Sequence, residues 1–261
     1  MDDYETAMSR TDVLTGKEAE RFGTIVGVLQ FATGFRPDVA FPVGVGGRCR
    51  TFPTVKMLQH MERVLVYLAR TADLAINYRA DQPGATKLSG VSDSDWYVRR
   101  STTGYVITLA GGCVAHGSRR QHCIAMSSTE AELMGLAELA LEMLYVRDVL
   151  GDLGFVFGPE DQEVATRDPE AHRLLHAVGD IVHGPIEVGV DNSGAYNLVQ
   201  RKTVARHSKH IERRCYKMRE LYHQGLIRVS LIPTAEMHAD MLTKALDDKT
   251  FHKHRKRCMN L

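Results

Sequence analysis

The sequence has no apolar run approaching the roughly 18 residues that a membrane-spanning helix needs, so insertion into a bilayer is not expected. It also has no CxxC pair: its five cysteines, Cys49, Cys113, Cys123, Cys215 and Cys258, are odd in number and far apart. That spacing argues against a disulfide framework and against zinc. With no apolar leader at the start, it points to a reducing, intracellular setting, cytoplasmic or nuclear. Net charge is nearly absent. Lys and Arg number 33 against 32 Asp and Glu, giving +1, so attraction to a polyanion must come from local clusters. What is present is ordinary: 44% hydrophobic and 25% charged residues over 261 positions, enough for one large core or two small ones.

Residues 1–14 are polar and read as a flexible lead-in. Thr15 and Glu18 have capping-box spacing, and Phe22, Ile25, Val26, Val28, Leu29 and Ala32 recur at helical intervals until Gly34 and Pro37 break the run. A second helix is expected from near Pro53, with Met57, Leu58, Met61, Val64, Leu65 and Leu68 as its buried stripe. Residues 15–80 thus read as a small helical module, and RADQPGATK supplies the turn chemistry of a linker. From Leu88 the pattern changes to short strand-like runs, LSGVSDSDW, GYVITLA and GCVAHGS, separated by RRSTT and GG, as in an antiparallel meander. SSTEAELMGLAELALEMLYVRDVLGDLG follows as one long helix, capped by Ser128 and ended by Gly154. The mixed, polar stretch over 158–184 reads as an inserted loop. IEVGVDN is a buried strand entering a helix at SGAYNLVQ, RHSKHIERRCYKMRELYHQG a basic helix closed by Gly225, LIRVSLIP another strand and TAEMHADMLTKAL a last helix. The order predicts an α/β fold over 86–250, a mixed five-stranded sheet flanked by helices, with 251–261 as a basic tail.

Acidic residues in this second module fall at the ends of elements. Asp93 lies on the first strand, and alternation puts Asp95 on the same face. Two like charges there repel unless a cation intervenes: Arg99 and Arg100, a solvent counter-ion or a metal. Glu132 sits on the inner side of the first turns of the long helix, Asp191 at the C-terminal end of the fourth strand, and Asp240 near the start of the last helix. Such positions are where a mixed sheet collects groups into one crevice. Four carboxylates gathered together need a cation, and hard oxygen ligands suit Mg²⁺ or Mn²⁺. Two such ions about 4 Å apart are the known arrangement for in-line attack of water on a phosphodiester. Each residue also has an ordinary alternative. Asp93 and Asp95 can be an exposed pair, Glu132 shares its helix with Glu130 and Glu138, Asp191 can cap the helix after it, and Asp240 can be a first-turn acid.

The blocks SDSDW, STTGYVITLAGGCVAHGSRRQ, AMSSTEAELMGLAE, VDNSGAYNLV, RHSKHIERR and IPTAEMHADMLTKAL, in that order, resemble the ribonuclease H domain of copia-type retrotransposon Pol polyproteins. VGVLQFATGFRPDVAFPVG and MLQHMERVLVYLARTADLAINY are similar to the segment joining reverse transcriptase to that domain. The resemblance covers about residues 15–250. It implies a ribonuclease H-like fold and hydrolysis of the RNA strand of an RNA–DNA hybrid. Asp93, Glu132, Asp191 and Asp240 fall on the metal-binding positions for two Mg²⁺ ions, with Mn²⁺ as a substitute, and Asp95 is a neighbour of the site. His238, two residues before Asp240, stands where such sequences usually carry an apolar residue and is expected to be a surface histidine. His207 and His210 match a family block that positions the basic helix or contacts the hybrid.

The run from Arg201 to Arg219 carries eight cations, among them Arg206, Lys209, Arg213 and Arg214, against Glu212 alone. So one-signed an excess reads as a phosphate-tracking surface, giving salt-dependent binding without sequence preference. Arg119 and Arg120 extend it, and Ser128 and Asn192 are placed on the nucleic-acid side with them. Trp96 reads as core or a local lid. Two departures from the family pattern stand out: a shortened turn after SDSDW and a long loop over 158–184. No polymerase carboxylates are found, so polymerase activity is not expected. The alternatives are a catalytically silent nucleic-acid-binding remnant of the same fold and a related nuclease that cuts DNA.

Overall fold

The computed structural model describes residues 12–79, 81, 87–96, 100–153, 184–201 and 212–261. Among the described residues three helices come first: α1 (Gly16–Thr33), α2 (Ala40–Arg48) and α3 (Val55–Arg70). α1 buries Phe22, Val26 and Leu29, while the Thr15 hydroxyl makes no cap bond. α3 is capped by Thr54, whose Oγ1 accepts the Met57 N–H at 3.3 Å, and it buries Met57, Leu58, Met61 and Val64. α2 goes beyond the two helices expected. Its sequence, AFPVGVGGR, carries Pro42 and three glycines, a composition with poor intrinsic helix propensity. Close packing on α3 holds it instead, since a Cβ at Gly46 would lie 2.4 Å from Met61 Sδ. Leu14 joins the core of these helices and Val13 bridges Thr54, so the end of the expected lead-in is anchored.

Five strands follow, β1 (Ser89–Asp95), β2 (Thr102–Leu109), β3 (Gly112–Arg120), β4 (Ile186–Val190) and β5 (Ile227–Leu231), in the order β3-β2-β1-β4-β5. The first three form an antiparallel meander, and β4 and β5 add in parallel beside β1. This is the mixed five-stranded sheet that the sequence predicts. The remaining helices among the described residues are α4 (Ser128–Asp152), α5 (Ser193–Gln200), α6 (Glu212–His223) and α7 (Asp248–Met259).

Alternation decides what each sheet face meets. Tyr105, Ile107, Val188 and Val190 join Leu133, Leu136, Leu139, Val199, Met218 and Leu221 in a core beneath α4, α5 and α6. Each such large side chain, fully buried, contributes roughly 1.5–3 kcal/mol. Val91 and Val106 point the other way, into a second core with Ala40, Met241, Leu242 and Cys258. That face is therefore covered by α2, α7 and the segment between β5 and α7.

Two C-terminal expectations are corrected. TAEMHADMLTKAL is not a regular helix but two 3₁₀ turns, Thr234–Glu236 and His238–Leu242. All five residues of the second are buried, whereas an amphipathic α-helix buries only one stripe; the chain tightens instead into i→i+3 bonds such as Thr243 N–H to Asp240 O, 3.2 Å. Residues 251–261 are not a tail, because most of them belong to α7, which Asp247 caps through the Thr250 N–H at 3.0 Å. The charges of α7 conceal a buried stripe of His254, Cys258 and Met259. The expected inserted loop at 158–184 lies almost wholly outside the described residues. Among the described residues no helix is long and apolar enough to cross a membrane.

Candidate functional site

β1 carries the centre of the site. Ser94, on the face toward α4, lies close to Gly135, where an added Cβ would sit 2.5 Å from Ser94 Oγ. Asp93 and Asp95 therefore share the opposite face with Val91. On the neighbouring parallel strand Val91 pairs with Gly189, and continuing that register by two residues sets Asp191 beside Asp93. Asn192, one residue later, caps α5 by accepting the Ala195 N–H at 2.9 Å, which leaves the Asp191 carboxylate free of that task.

The start of α4 places the third carboxylate. Ser127, not the expected Ser128, is the cap: its Oγ accepts the Glu130 N–H at 3.2 Å, and Glu130 Oε2 accepts the Met126 N–H at 2.7 Å. This reciprocal pair uses up Glu130. Glu132, two residues on, turns inward. One turn later the bare Cα of Gly135 lets the helix lie against β1.

Oxygens of Asp93, Glu132 and Asp191 all lie within 4.8 Å of one another. Glu132 is 6% exposed, and its Oε2 is buried with no hydrogen-bond partner. Burial first, and then the charges of Asp93 and Asp191, push its carboxyl up to about 9. Convergent carboxylates with an unsatisfied buried oxygen are the donor set of a hard divalent cation, so the residues present fit such an ion.

Asp240 is also buried but is not among those three. Lys244 Nζ stands 2.9 Å from Asp240 Oδ1 and 3.7 Å from Asp93 Oδ2. Burial pushes the Asp240 carboxyl up to about 6, Asp93 adds to that rise, and Lys244 opposes it. Burial works to lower the Lys244 ammonium, but Asp240 and Asp93 outweigh it and hold the pKa above its ordinary value. The Thr243 hydroxyl, fully buried, donates to Asp93 Oδ2 and lies 3.1 Å from the Asp240 carbonyl. Gly104, opposite Asp93 in the β1–β2 register, makes this approach possible: a Cβ there would lie 2.7 Å from Thr243 Cγ2 and 2.8 Å from Leu242 Cβ. Sequence reasoning misses Thr243, Lys244 and Gly104. The i, i+4 spacing of Asp240 and Lys244 is the signal that points to the lysine.

Asp95 accepts the Thr102 N–H. Burial raises its pKa, against that bond and the charge of Arg48, while Asp93 reinforces the rise. His238 is not a surface residue: it is 7% exposed, and burial, helped by Arg257 and His254, pushes it down to about 4. The expectation fails because the 3₁₀ turn carries every one of its side chains inward. Trp96 is 57% exposed and so is not core, although its Nε1 donates to the Ala125 carbonyl at 3.3 Å.

Among the expected nucleic-acid contacts, Arg119 pairs with Glu138 at 3.5 Å. Arg119 and Arg120 line a cavity of about 370 Å³ with Gln121, His122, Glu138 and Lys217. Ser128 is exposed at the start of α4. Arg206, His207, Lys209 and His210 lie outside the described residues, and Arg213 and Arg214 fall in the first turn of α6. Arg219 leaves the expected cationic surface: it is 6% exposed, and its Nε donates to the Leu198 carbonyl at 2.7 Å.

A β3-β2-β1-β4-β5 sheet with an antiparallel meander, two parallel strands and helices packed on it defines a ribonuclease H-like α/β protein, here with an acidic cluster able to hold a metal. No family model matches the sequence. The chain is 29% identical over 235 residues to the retrovirus-related Pol polyprotein from transposon TNT 1-94 of Nicotiana tabacum, covering 88% of this chain and 16% of that protein. It is 30% identical over 233 residues to that from transposon RE1 of Arabidopsis thaliana, covering 87% and 14%. Over 115 residues it is 40% identical to the secreted RxLR effector protein 161 of Plasmopara viticola, 42% of this chain and 80% of that one. A solved structure of the foamy viral protease-reverse transcriptase dRH in complex with ds DNA aligns over 88% of this chain and 34% of that chain, at 15% identity and a TM-score of 0.42; a likeness that low adds nothing to the fold, which rests on the sheet. The chain's homologues are retrovirus-related Pol polyproteins of copia-type transposons, and it spans about one-seventh of the length of the first two.

Proposed function

We propose that this chain is a metal-dependent endoribonuclease, hydrolysing the RNA strand of RNA–DNA hybrids as the ribonuclease H part of a retrotransposon Pol polyprotein. The observation that carries the reading is the convergence of Asp93, Glu132 and Asp191 within 4.8 Å, with Glu132 Oε2 buried and unpartnered. Structural carboxylates are normally paired or hydrogen-bonded when buried; this one is held ready for a ligand. Two Mg²⁺ ions, or Mn²⁺ in their place, supply an activated water and a stabilised leaving oxygen when bound. Asp93, Glu132 and Asp191 would hold a cation together, and Asp240 would add a carboxylate beside Asp93. Thr243, by donating to Asp93 Oδ2, holds that carboxylate in place. Arg119 and Arg120 contact the phosphates of the hybrid, which gives binding that weakens with salt. The polymerase domain of the parent polyprotein is the natural partner, and the reaction takes place inside the cell, in cytoplasm or nucleus.

The test is cleavage of a hybrid labelled on each strand, in Mg²⁺ and in Mn²⁺, beside an Asp191→Asn variant. Scission of the RNA strand alone by the wild type, and none by the variant, is expected. Binding without cutting by both would establish a silent remnant, and cutting of both strands a nuclease that does not select the sugar.

A further inference from the structure

We infer that the Lys244 ammonium occupies the second cation position, so that a second divalent ion binds only by displacing it. This inference rests on the reading of the carboxylates as a metal centre. The acidic groups divide unequally. Asp93, Glu132 and Asp191 converge by themselves, with an orphaned oxygen on Glu132. Asp240 lies outside that group of three, and Lys244 Nζ stands 2.9 Å from Asp240 Oδ1, a buried oxygen that makes no hydrogen bond, and 3.7 Å from Asp93 Oδ2. One cation position is left open to a ligand and the other is filled by a positive charge belonging to the chain.

The position of Lys244 is built. Its backbone N–H bonds the Asp240 carbonyl at 3.1 Å, which fixes the spacing between lysine and aspartate. Its neighbour Thr243 is fully buried against Asp93. The residue also lines an apolar cavity of about 310 Å³ with Met61, Tyr67, Met241, Leu246 and Phe251, a wall against which a long aliphatic stem packs. Yet the side chain is 42% exposed, so the ammonium has room to leave toward solvent. A flexible point charge is what Lys supplies and Arg does not. The device neutralises Asp93 and Asp240 while no second ion is bound. It also separates the two binding steps, since the second ion must expel a like charge from within about 3 Å of the carboxylate oxygens. Lys244 is on this account a positioning residue.

The measurement is a titration of the metal-free full chain with Mn²⁺, counting bound ions by the loss of the free-ion electron paramagnetic resonance signal, for wild type, Lys244→Met and Lys244→Arg. Methionine keeps the stem in the apolar wall and removes the charge. The wild type is expected to take up one ion tightly and a second at least about tenfold more weakly. Lys244→Met should tighten the second ion about tenfold or more while leaving the first within about twofold, and Lys244→Arg should retain the gap. Equal binding of two ions by the wild type, or unchanged constants in Lys244→Met, overturns the inference and leaves the metal-centre reading standing. Loss of the second ion in Lys244→Met overturns it too, because the lysine would then assist binding. Uptake by none of the three chains sinks both readings together.

Discussion

Glu132 should make the metal-free protein less stable as the pH rises. A carboxyl whose pKa is raised in the folded chain, here from 4.5 to about 9, contributes stability that is fully present below pH 4.5 and is lost as the pH climbs through 9. Each unit of separation is worth about 1.4 kcal/mol, so raising the pH from 5 to 9 should cost the metal-free chain on the order of 5 kcal/mol through this one group. That is a large part of the 5–15 kcal/mol by which domains are typically stable. The Glu132→Gln variant keeps the shape of the protonated acid and cannot ionise. Urea unfolding in the presence of chelator, followed by far-ultraviolet circular dichroism, should show the two chains alike near pH 5 and the variant the more stable near pH 9. Added Mn²⁺ should abolish most of the slope in the wild type, because a cation stabilises the ionised form, and should have a smaller effect on the variant. Parallel pH profiles for the two chains in chelator would refute the reasoning, since they would mean that Glu132 is not held in a dry, anionic enclosure.

Gly104→Ala places a methyl carbon 2.7 Å from Thr243 Cγ2 and 3.0 Å from the Ala239 carbonyl. It should cost about 1–3 kcal/mol by overpacking and should weaken binding of the first Mn²⁺ ion by displacing Thr243 from Asp93, read by unfolding and by titration. Asp38, far from the carboxylate cluster in sequence, is held bidentate by Arg36 at 2.8 and 2.9 Å and by the Tyr67 hydroxyl at 2.5 Å. Asp38→Ala leaves that buried guanidinium uncompensated and should destabilise by about 3–5 kcal/mol; a loss under 1 kcal/mol in urea unfolding would contradict that.

Much of the site is legible in the amino-acid sequence, where Asp93, Glu132, Asp191 and Asp240 stand out as four acids at the ends of elements; in the folded chain all four lie around β1. Short strand-like runs bounded by turn residues carry β1, β2 and β4 in the sequence itself, and the capping chemistry around Ser127 and Asn192 marks where two helices begin, to within a residue. What local pattern does not reach is what depends on distant neighbours. α2 exists because Gly46 packs on Met61, not because its residues favour a helix. The segment carrying His238 and Asp240 is a 3₁₀ turn because all its side chains go inward, and α7 hides its buried stripe among lysines and arginines. The sequence by itself therefore determined the alternating faces of the strands, the order of the elements and the identity of the acids. Only the tertiary structure decided that Asp93, Glu132 and Asp191 meet within 4.8 Å while Lys244 stands 2.9 Å from Asp240 and 3.7 Å from Asp93. Those distances join residues as far apart in the chain as Asp93 and Lys244, and only the packing of the sheet, its helices and the closing 3₁₀ turn brings them together.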